Sequence, residues 1–332
     1  MKLKYYLIFL FLLLLPVIAM PYSVHAKNLG AKAEKTIGLN YYYGRNGFKR
    51  NYFKAVYWFR KAAERGNLNA QFDLGYAYYY GRGVKQNYSK AVYWFKKAAE
   101  RGNVDGQVAL GNAYYYGRGV TISYSKAVYW DRKAADQGNI DAQSSLGIIY
   151  YFGYGVSQNY SRAVYWLRKA AEQGNIDTQV YLASAYYYGR GVKQNYFRAV
   201  YWFRKAAEQG NVDAQNDLAG AYYLGHGVKQ NYFKAVYWFR KAAEQGNPYA
   251  QVTLGTAYYL GHGVKQNYFK AVYWFRKAAE QGNAGGQVHL GSAYYLGRGV
   301  KQNYSKAVYW FKKAAGQGNA NARTLLNKIE RR

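Results

Sequence analysis

Residues Gly66 to Gly102 read GNLNAQFDLGYAYYYGRGVKQNYSKAVYWFKKAAERG, and near-copies of this text fill most of the chain. Trp94 within it is one of eight tryptophans, Trp58, Trp94, Trp130, Trp166, Trp202, Trp238, Trp274 and Trp310, set 36 residues apart without a slip, and the chain has no others. A strict period of roughly 20 to 50 residues marks a stacked array, because each unit carries an apolar face that only its neighbours can cover. The period overrides the two globular domains that 332 residues would otherwise suggest. One elongated domain is expected, growing by added layers.

Within the repeat, Asn follows the turn glycine in every copy (Asn67, Asn103, Asn139, Asn175, Asn211, Asn247, Asn283, Asn319), and Pro248 follows one of them. Asn is favoured at a helix cap and Pro at the first helical position, so these residues open the first helix of each repeat, helix A. Helix A runs to about Tyr80, where Gly81 and Gly83 break it. Asn87 is the expected cap of the second helix, B, with Ser123 in its place in one copy, and B runs through KAVYWFKKAAE to Gly102. At about 100° per residue, Tyr52, Ala55, Val56, Trp58, Phe59, Ala62 and Ala63 of the preceding copy share one arc. Lys54, Tyr57, Arg60, Lys61 and Glu64 lie opposite, which makes B amphipathic with a basic outer face.

In helix A, Ala70, Leu74, Ala77 and Tyr78 form the inner face, and Gly75 marks a close helix crossing. The copies disagree elsewhere. The position of Asp73 becomes Ala109, Ser145, Tyr181, Asp217, Thr253 and His289, and that of Tyr76 becomes Asn112, Ile148, Ser184, Gly220, Thr256 and Ser292. With the Tyr80 position, which is Tyr116 in the next copy, they make an i, i+3, i+7 stripe away from the packing side. Two readings stand: drift on an unconstrained solvent face, or a ligand-binding concave surface of the kind solenoids use. The second makes Asp73, Tyr76, Tyr80, Asn112, Tyr116, Ser145, Ile148, Tyr181, Ser184, Asp217, Thr253, Thr256 and His289 the candidate partner-binding residues.

Outside the repeats, Lys2 and Lys4, an apolar run from Tyr5 to Ala19 and Val24-His25-Ala26 describe a secretory signal peptide, residues 1–26, cleaved after Ala26. Pro16 interrupts the run, which falls short of the roughly 20 residues a membrane span needs. The mature protein, residues 27–332, is expected to be exported, periplasmic or secreted, with no transmembrane segment. Cysteine is absent, so disulfides and thiol chemistry are excluded. The formal charge is +31, less two once Lys2 and Lys4 leave, which points to anionic surroundings or partners. Tyrosine numbers 43, too many for one interior, so many must line surfaces.

The pattern ALGNAYYYGRGV followed by NYSKAVYWFKKAAE resembles the Sel-one-like repeat (SLR) family, relatives of the tetratricopeptide repeat whose hallmarks are the two-glycine loop and the Ala, Trp and Ala-Ala positions of helix B. The resemblance covers roughly residues 37–322. It implies an all-α fold, a right-handed α/α superhelical solenoid of about eight helix-turn-helix repeats, acting as an adaptor for protein partners without chemistry of its own. The first loop, Gly44 to Phe48, has one extra residue and makes an imperfect first repeat, while Asn319 to Ile329 suits a C-terminal capping helix. Where the family commonly has Asp at the helix B cap this chain has Asn, which adds to the positive charge and points to acidic partners.

Chemistry is sparse. Ser123-Tyr124-Ser125-Lys126 fits the Ser-x-x-Lys pattern of penicillin-interacting serine enzymes, but no Ser-Asp-Asn or Lys-Thr-Gly partner accompanies it. There is no Gly-Lys dipeptide for a phosphate loop, and no cofactor motif. His226 and His262 stand in equivalent loop positions, but layers about 10 Å apart cannot bring them to one metal ion, so they read as arginine replacements. Lys54, Tyr57 and Lys61 form an outer row that could hold a polyanion or simply be a solvated face; export argues against nucleic acid and leaves anionic envelope polymers open. The centre is irregular: Thr121-Ile122-Ser123 replaces Lys-Gln-Asn, Asp131 stands where other copies have Phe or Leu, and Tyr154 replaces the loop Arg. Asp131 and Tyr154 are either divergence or a hinge or specificity notch, and a buried Asp131 needs a cationic or hydroxyl partner or a loosened interface.

N-terminal sequencing of the native protein recovered from outside the cytoplasm should begin at Lys27; retention of Met1 in that fraction would overturn the cleavage reading.

Overall fold

The computed structural model describes residues 30–330, and the expected signal peptide, residues 1–26, lies outside the described residues. These form two compact units that part between Ile122 and Ser123, inside the irregular loop. Unit one holds α1 (Ala31–Tyr43), α2 (Tyr52–Glu64), α3 (Leu68–Tyr80), α4 (Tyr88–Glu100) and α5 (Val104–Tyr116). Unit two begins with α6 (Tyr124–Asp136), α7 (Ile140–Phe152), α8 (Tyr160–Glu172), α9 (Ile176–Tyr188), α10 (Tyr196–Glu208) and α11 (Val212–Leu224). It continues through α12 (Tyr232–Glu244), α13 (Pro248–Leu260), α14 (Tyr268–Glu280), α15 (Ala284–Leu296), α16 (Tyr304–Gly316) and α17 (Ala320–Glu330). There is no strand among the described residues. Within each unit every helix packs on the next in sequence, so each is a stretch of α/α solenoid.

The helix ends follow from the asparagines. Asn67 Oδ1 accepts the Ala70 N–H at 2.9 Å and Asn87 Oδ1 the Lys90 N–H at 2.8 Å, so both hairpin helices start on a side-chain cap. Ser123 does not: its side chain makes no cap bond and its Oγ lies 3.3 Å from Ser125 Oγ, so it occupies the cap position without the expected bond. At the other end of helix A, Gly81 takes φ 69° and returns its N–H to Ala77 O. The second loop glycine serves a different purpose. A Cβ on Gly227, at φ +68°, would lie 2.3 Å from the Tyr196 carbonyl oxygen, so the loop of one repeat seats directly on the start of the previous helix B.

The interior is built as the periodicity predicts. Ala55, Ala62, Ala70, Leu74 and Ala77 are fully buried, and Phe59 nearly so. A Cβ on Gly75 would meet the Phe95 ring at 2.7 Å, which is the close crossing of α3 and α4. Trp58, Trp166 and Trp202 are buried, while Trp94, Trp130, Trp238, Trp274 and Trp310 are half-buried with one edge reachable by solvent. At the C-terminus, Ala322 and Leu326 of α17 close the apolar cluster around Phe311.

One device had no counterpart in the apolar pattern. Gln143 of α7 is buried; its Nε2 donates to Ala135 O at the end of α6 at 3.1 Å, and its Oε1 accepts from Gln173 Nε2 at the end of α8 at 2.8 Å. The arrangement recurs through Gln179 and Gln209, Gln215 and Gln245, Gln251 and Gln281, and Gln287 and Gln317. In unit two a ladder of amides thus ties the C-terminus of one helix B to the next. In unit one Arg101 stands in the donor position and reaches Gly66 O at 3.0 Å, leaving the buried Oε1 of Gln71 without a hydrogen bond among the described residues.

Gln251→Met should lower stability by about 1 kcal/mol, because it removes one hydrogen bond each from the Ala243 carbonyl and the Gln281 amide, which keep Gly246 N–H at 3.1 Å and Lys277 O at 3.4 Å as partners. Arg101→Gln should raise it by about 0.5–1 kcal/mol by giving Gln71 its missing donor. Urea denaturation of the two variants checks both signs.

Candidate partner-binding face

The stripe residues are all reachable by solvent. Tyr80, Asn112, Tyr116 and His289 are exposed, and Asp73, Tyr76, Ser145, Ile148, Tyr181, Ser184, Asp217, Thr253 and Thr256 are half-buried. They do not form one uniform surface. In unit one, Tyr76 packs its ring 4.5 Å from Tyr80, and Asp73 sits behind them with its Oδ2 buried and without a hydrogen bond among the described residues. In unit two, Tyr181 packs against Tyr151 and Phe152, each at 5.7 Å, and Phe152 stacks on Tyr154 at 5.3 Å. Tyr154, exposed, therefore joins an aromatic cluster with the stripe instead of supplying an arginine such as Arg82 or Arg190 of other loops. Thr253 and Thr256 turn their hydroxyls back onto Tyr249 O and Val252 O, each at 3.0 Å. His289 stacks 4.7 Å above Phe275, where loss of water lowers its pKa.

The two carboxylates of the stripe sit in abnormal surroundings. Burial pushes Asp73 up to about 6, opposed by Lys35 and reinforced by Asp105. Asp217 is likewise pushed up to about 6 by burial, with Asn216 Nδ2, 3.3 Å away, opposing and Asp213 adding to the shift. Each lines a cavity: about 190 Å³ with Tyr42, Phe59, Tyr76 and Arg82 in unit one, and about 250 Å³ with Tyr187, Phe203, Gly220 and Tyr249 in unit two. Sequence reasoning reached Asp73, Tyr76, Asp217 and Thr253 but missed the ring walls, because these come from separate layers. Gly220 was the available signal, a mid-helix glycine where other copies carry a side chain.

The basic outer row is less open than its sequence suggests. Lys61 Nζ lies 5.3 Å from the Tyr57 ring and 5.4 Å from Trp58, and the same pairing recurs in the other copies, as at Lys97, Lys205 and Lys277. Lys54 covers Tyr41 of the preceding helix A at 5.4 Å, and Lys90 covers Tyr78 at 5.6 Å. The loop side chains are also engaged. Arg190 donates to Tyr151 Oη at 2.9 Å; His226 and His262 bond Tyr187 and Tyr223 Oη through Nδ1 at 2.8 and 3.0 Å. The histidines therefore do what arginine does in other loops, and no group of three or more potential metal ligands occurs among the described residues. No described helix is long and apolar enough to cross a membrane.

Asp131 of α6 is 4% exposed, and burial alone pushes it up to about 7. Among the described residues its carboxyl shows no ion pair or hydroxyl partner, and protonation is the way a buried carboxylate avoids a charge.

The Sel1 repeat family model matches residues 31–67, 68–103, 104–139, 140–175, 176–211, 212–247, 248–283 and 284–319, each match opening at a helix A. Among solved structures, c5321, a protective antigen of uropathogenic Escherichia coli strains displaying an SLR fold, is 41% identical over 90% of this chain with a TM-score of 0.84. This chain covers 64% of that antigen's length. A Sel1 repeat protein from Oxalobacter formigenes is 37% identical, covering 90% of this chain and 86% of its own, with a TM-score of 0.69. No curated protein matches the chain.

Asp131 provides a pH test. Its folded pKa, about 7, exceeds the ordinary 3.8, so between these values the folded state keeps a proton that the unfolded state has lost. Its contribution is complete below about pH 4 and is lost as the pH rises through about 7. Asp131→Leu, the residue type at the equivalent Leu167, should gain on the order of 3 kcal/mol over wild type at pH 8 and much less at pH 4; denaturation curves at the two pH values check it.

Proposed function

Since the chain belongs to the Sel1 repeat family, whose repeats build non-enzymatic scaffolds for protein–protein interaction, we propose that it is an exported scaffold whose helix A face selects protein partners. The partners are acidic in overall charge, and the cell envelope or a host surface is where they are met. The observation that carries this reading is the contrast between the two faces. The outer row of helix B repeats almost unchanged, with its lysines laid over its own aromatic rings, so it offers any anion the same weak attraction. The helix A face differs in every layer and contains half-buried polar groups and rings that a partner can still reach. Identical rows attract and different rows discriminate. The charge of +31 then serves encounter, and a polyanionic envelope polymer would meet the same rows without using the variable face.

Capture of partners from envelope extracts at two salt concentrations separates the faces. Tyr181→Ala with Asp217→Ala should weaken one specific partner about tenfold at either salt, since they remove contacts and not net attraction. Lys54→Glu with Lys90→Glu should weaken all anionic partners alike and mainly at low salt, because exposed charges are screened beyond about 8 Å at physiological ionic strength. Normal binding by the helix A pair together with selective loss in the lysine pair would move the site to the outer face.

A further inference from the structure

The two cavities lie at the same place in the repeat but hold different contents. In unit one the loop cation Arg82 lines the cavity, with its guanidinium 5.7 Å from the Tyr42 ring, 5.8 Å from Tyr76 and 5.3 Å from Tyr80. That cavity contains its own cation. In unit two the residue in place of Tyr76 is Gly220 and the residue in place of Arg82 is His226. His226 does not line the cavity; it is held by Tyr187 Oη at 2.8 Å and stacks on Tyr196 at 4.6 Å. What remains is a space of about 250 Å³ floored by the buried rings of Phe203 and Phe239, rimmed by the exposed rings of Tyr188 and Tyr249, and walled by Asp217.

Three features define what fits. The lining has aromatic rings from four helices and one formal charge, which is negative, with no lysine or arginine among its residues. Ring faces and a carboxylate both attract cations and repel anions. The volume falls below the roughly 300–1,000 Å³ of a small-molecule site, so it suits one long side chain. Gly220 completes the case. A Cβ on the mid-helix glycines Gly75, Gly147, Gly255 or Gly291 would lie only 2.6–2.7 Å from a side chain of helix B, whereas a Cβ on Gly220 would meet nothing within 4 Å. Packing therefore does not require glycine there, and its effect is to leave the mouth of the cavity open.

We propose that this cavity between α9, α11 and α13 is a binding site for one lysine or arginine side chain presented by a protein partner, with Asp217 as counter-charge and the Tyr187, Phe203, Phe239 and Tyr249 rings as its walls. The proposal rests on the helix A face being the partner-binding face and adds the chemistry of the anchor. An acidic partner steered by the outer rows would thus be recognised by a basic residue within it.

The test uses the full chain and three probes, the Nα-acetyl methylamides of arginine, norleucine and glutamate, followed by NMR shifts of the backbone amides from Asn216 to Gly220. The arginine probe should bind at least about tenfold more tightly than norleucine, and glutamate should not bind. Asp217→Asn, which keeps the shape, should weaken the arginine probe at least about fivefold; Gly220→Tyr, which copies unit one, should abolish its shifts, and Asp73→Asn should change nothing. Equal binding of arginine and norleucine, or an unchanged affinity in Asp217→Asn, would overturn the proposal. Should Gly220→Tyr fail to fold, the isosteric Asp217→Asn decides alone. Partner capture that is lost in Tyr181→Ala but kept in Asp217→Asn would leave the helix A face standing and remove the cation site. Probe binding with capture untouched by either variant would do the reverse.

Discussion

Tyrosine is the counter-partner of this protein's positive charge. The chain has 47 lysines and arginines against 16 aspartates and glutamates, so carboxylates cannot pair the cations. Ion pairs among the described residues include Glu34 with Arg65, Glu100 with Lys96 and Asp136 with Arg132, the last two being exposed pairs each within a single helix. The 43 tyrosines take over. Their ring faces receive the lysines of helix B, and their hydroxyls accept from arginine, as Tyr186 does from Arg168 at 2.9 Å and from Arg198 at 3.2 Å. Several of these contacts join one layer to the next: Arg190 reaches back to Tyr151, and Arg204 reaches forward to Tyr222 at 3.1 Å. A hydroxyl bond to a charged donor is stronger than a neutral one and leaves the net charge untouched. The layers can therefore be cross-tied while the surface stays strongly basic, a combination that salt bridges could not give.

This arrangement determines which parts of the surface can carry specificity. Each cation–tyrosine tie needs the same residues in every copy, so the positions that make ties are fixed by the stack and look alike along the chain. Variation is greatest on the stripe of helix A, where most copies make no such tie, although the loop position itself changes at Tyr154, His226 and His262. The same logic accounts for His226 and His262. They change the residue type but keep the bond to the preceding tyrosine, so their departure from the pattern is structural in content.

The fold was legible because its determinants are local and repeated: asparagine caps, two loop glycines, the alanine seam and a tryptophan at fixed phase. The Gln143–Gln173 ladder was not, since glutamine after a helix cap and glutamine at a helix end each read as surface residues until the layers are stacked. Ser123 was read as a cap from residue type, yet its hydroxyl faces Ser125, a choice among hydrogen-bond partners that sequence does not settle. The stripe of helix A was legible as variable, and its carboxylates were visible. The cavity beside Asp217 was not, because Tyr187, Phe203, Phe239 and Tyr249 come from four different helices.

A repeat protein supplies its own controls, and departures from its consensus can be sorted by what they cost. Arginine to histidine in the loops keeps a bond and costs little. Glycine in place of a side chain in the middle of α11 gives up about 1 kcal/mol of helix propensity with no close contact to require it. Asp217, half-buried and without a cation in its cavity, adds a second unfavourable choice next to the first. Single costs of this kind occur elsewhere, as at Asp131 and Gln71, whereas here two of them adjoin one cavity on the variable face. That coincidence, more than the presence of a cavity, distinguishes this layer from its neighbours. The cost is recovered only when a ligand supplies both the missing contact surface and the missing positive charge.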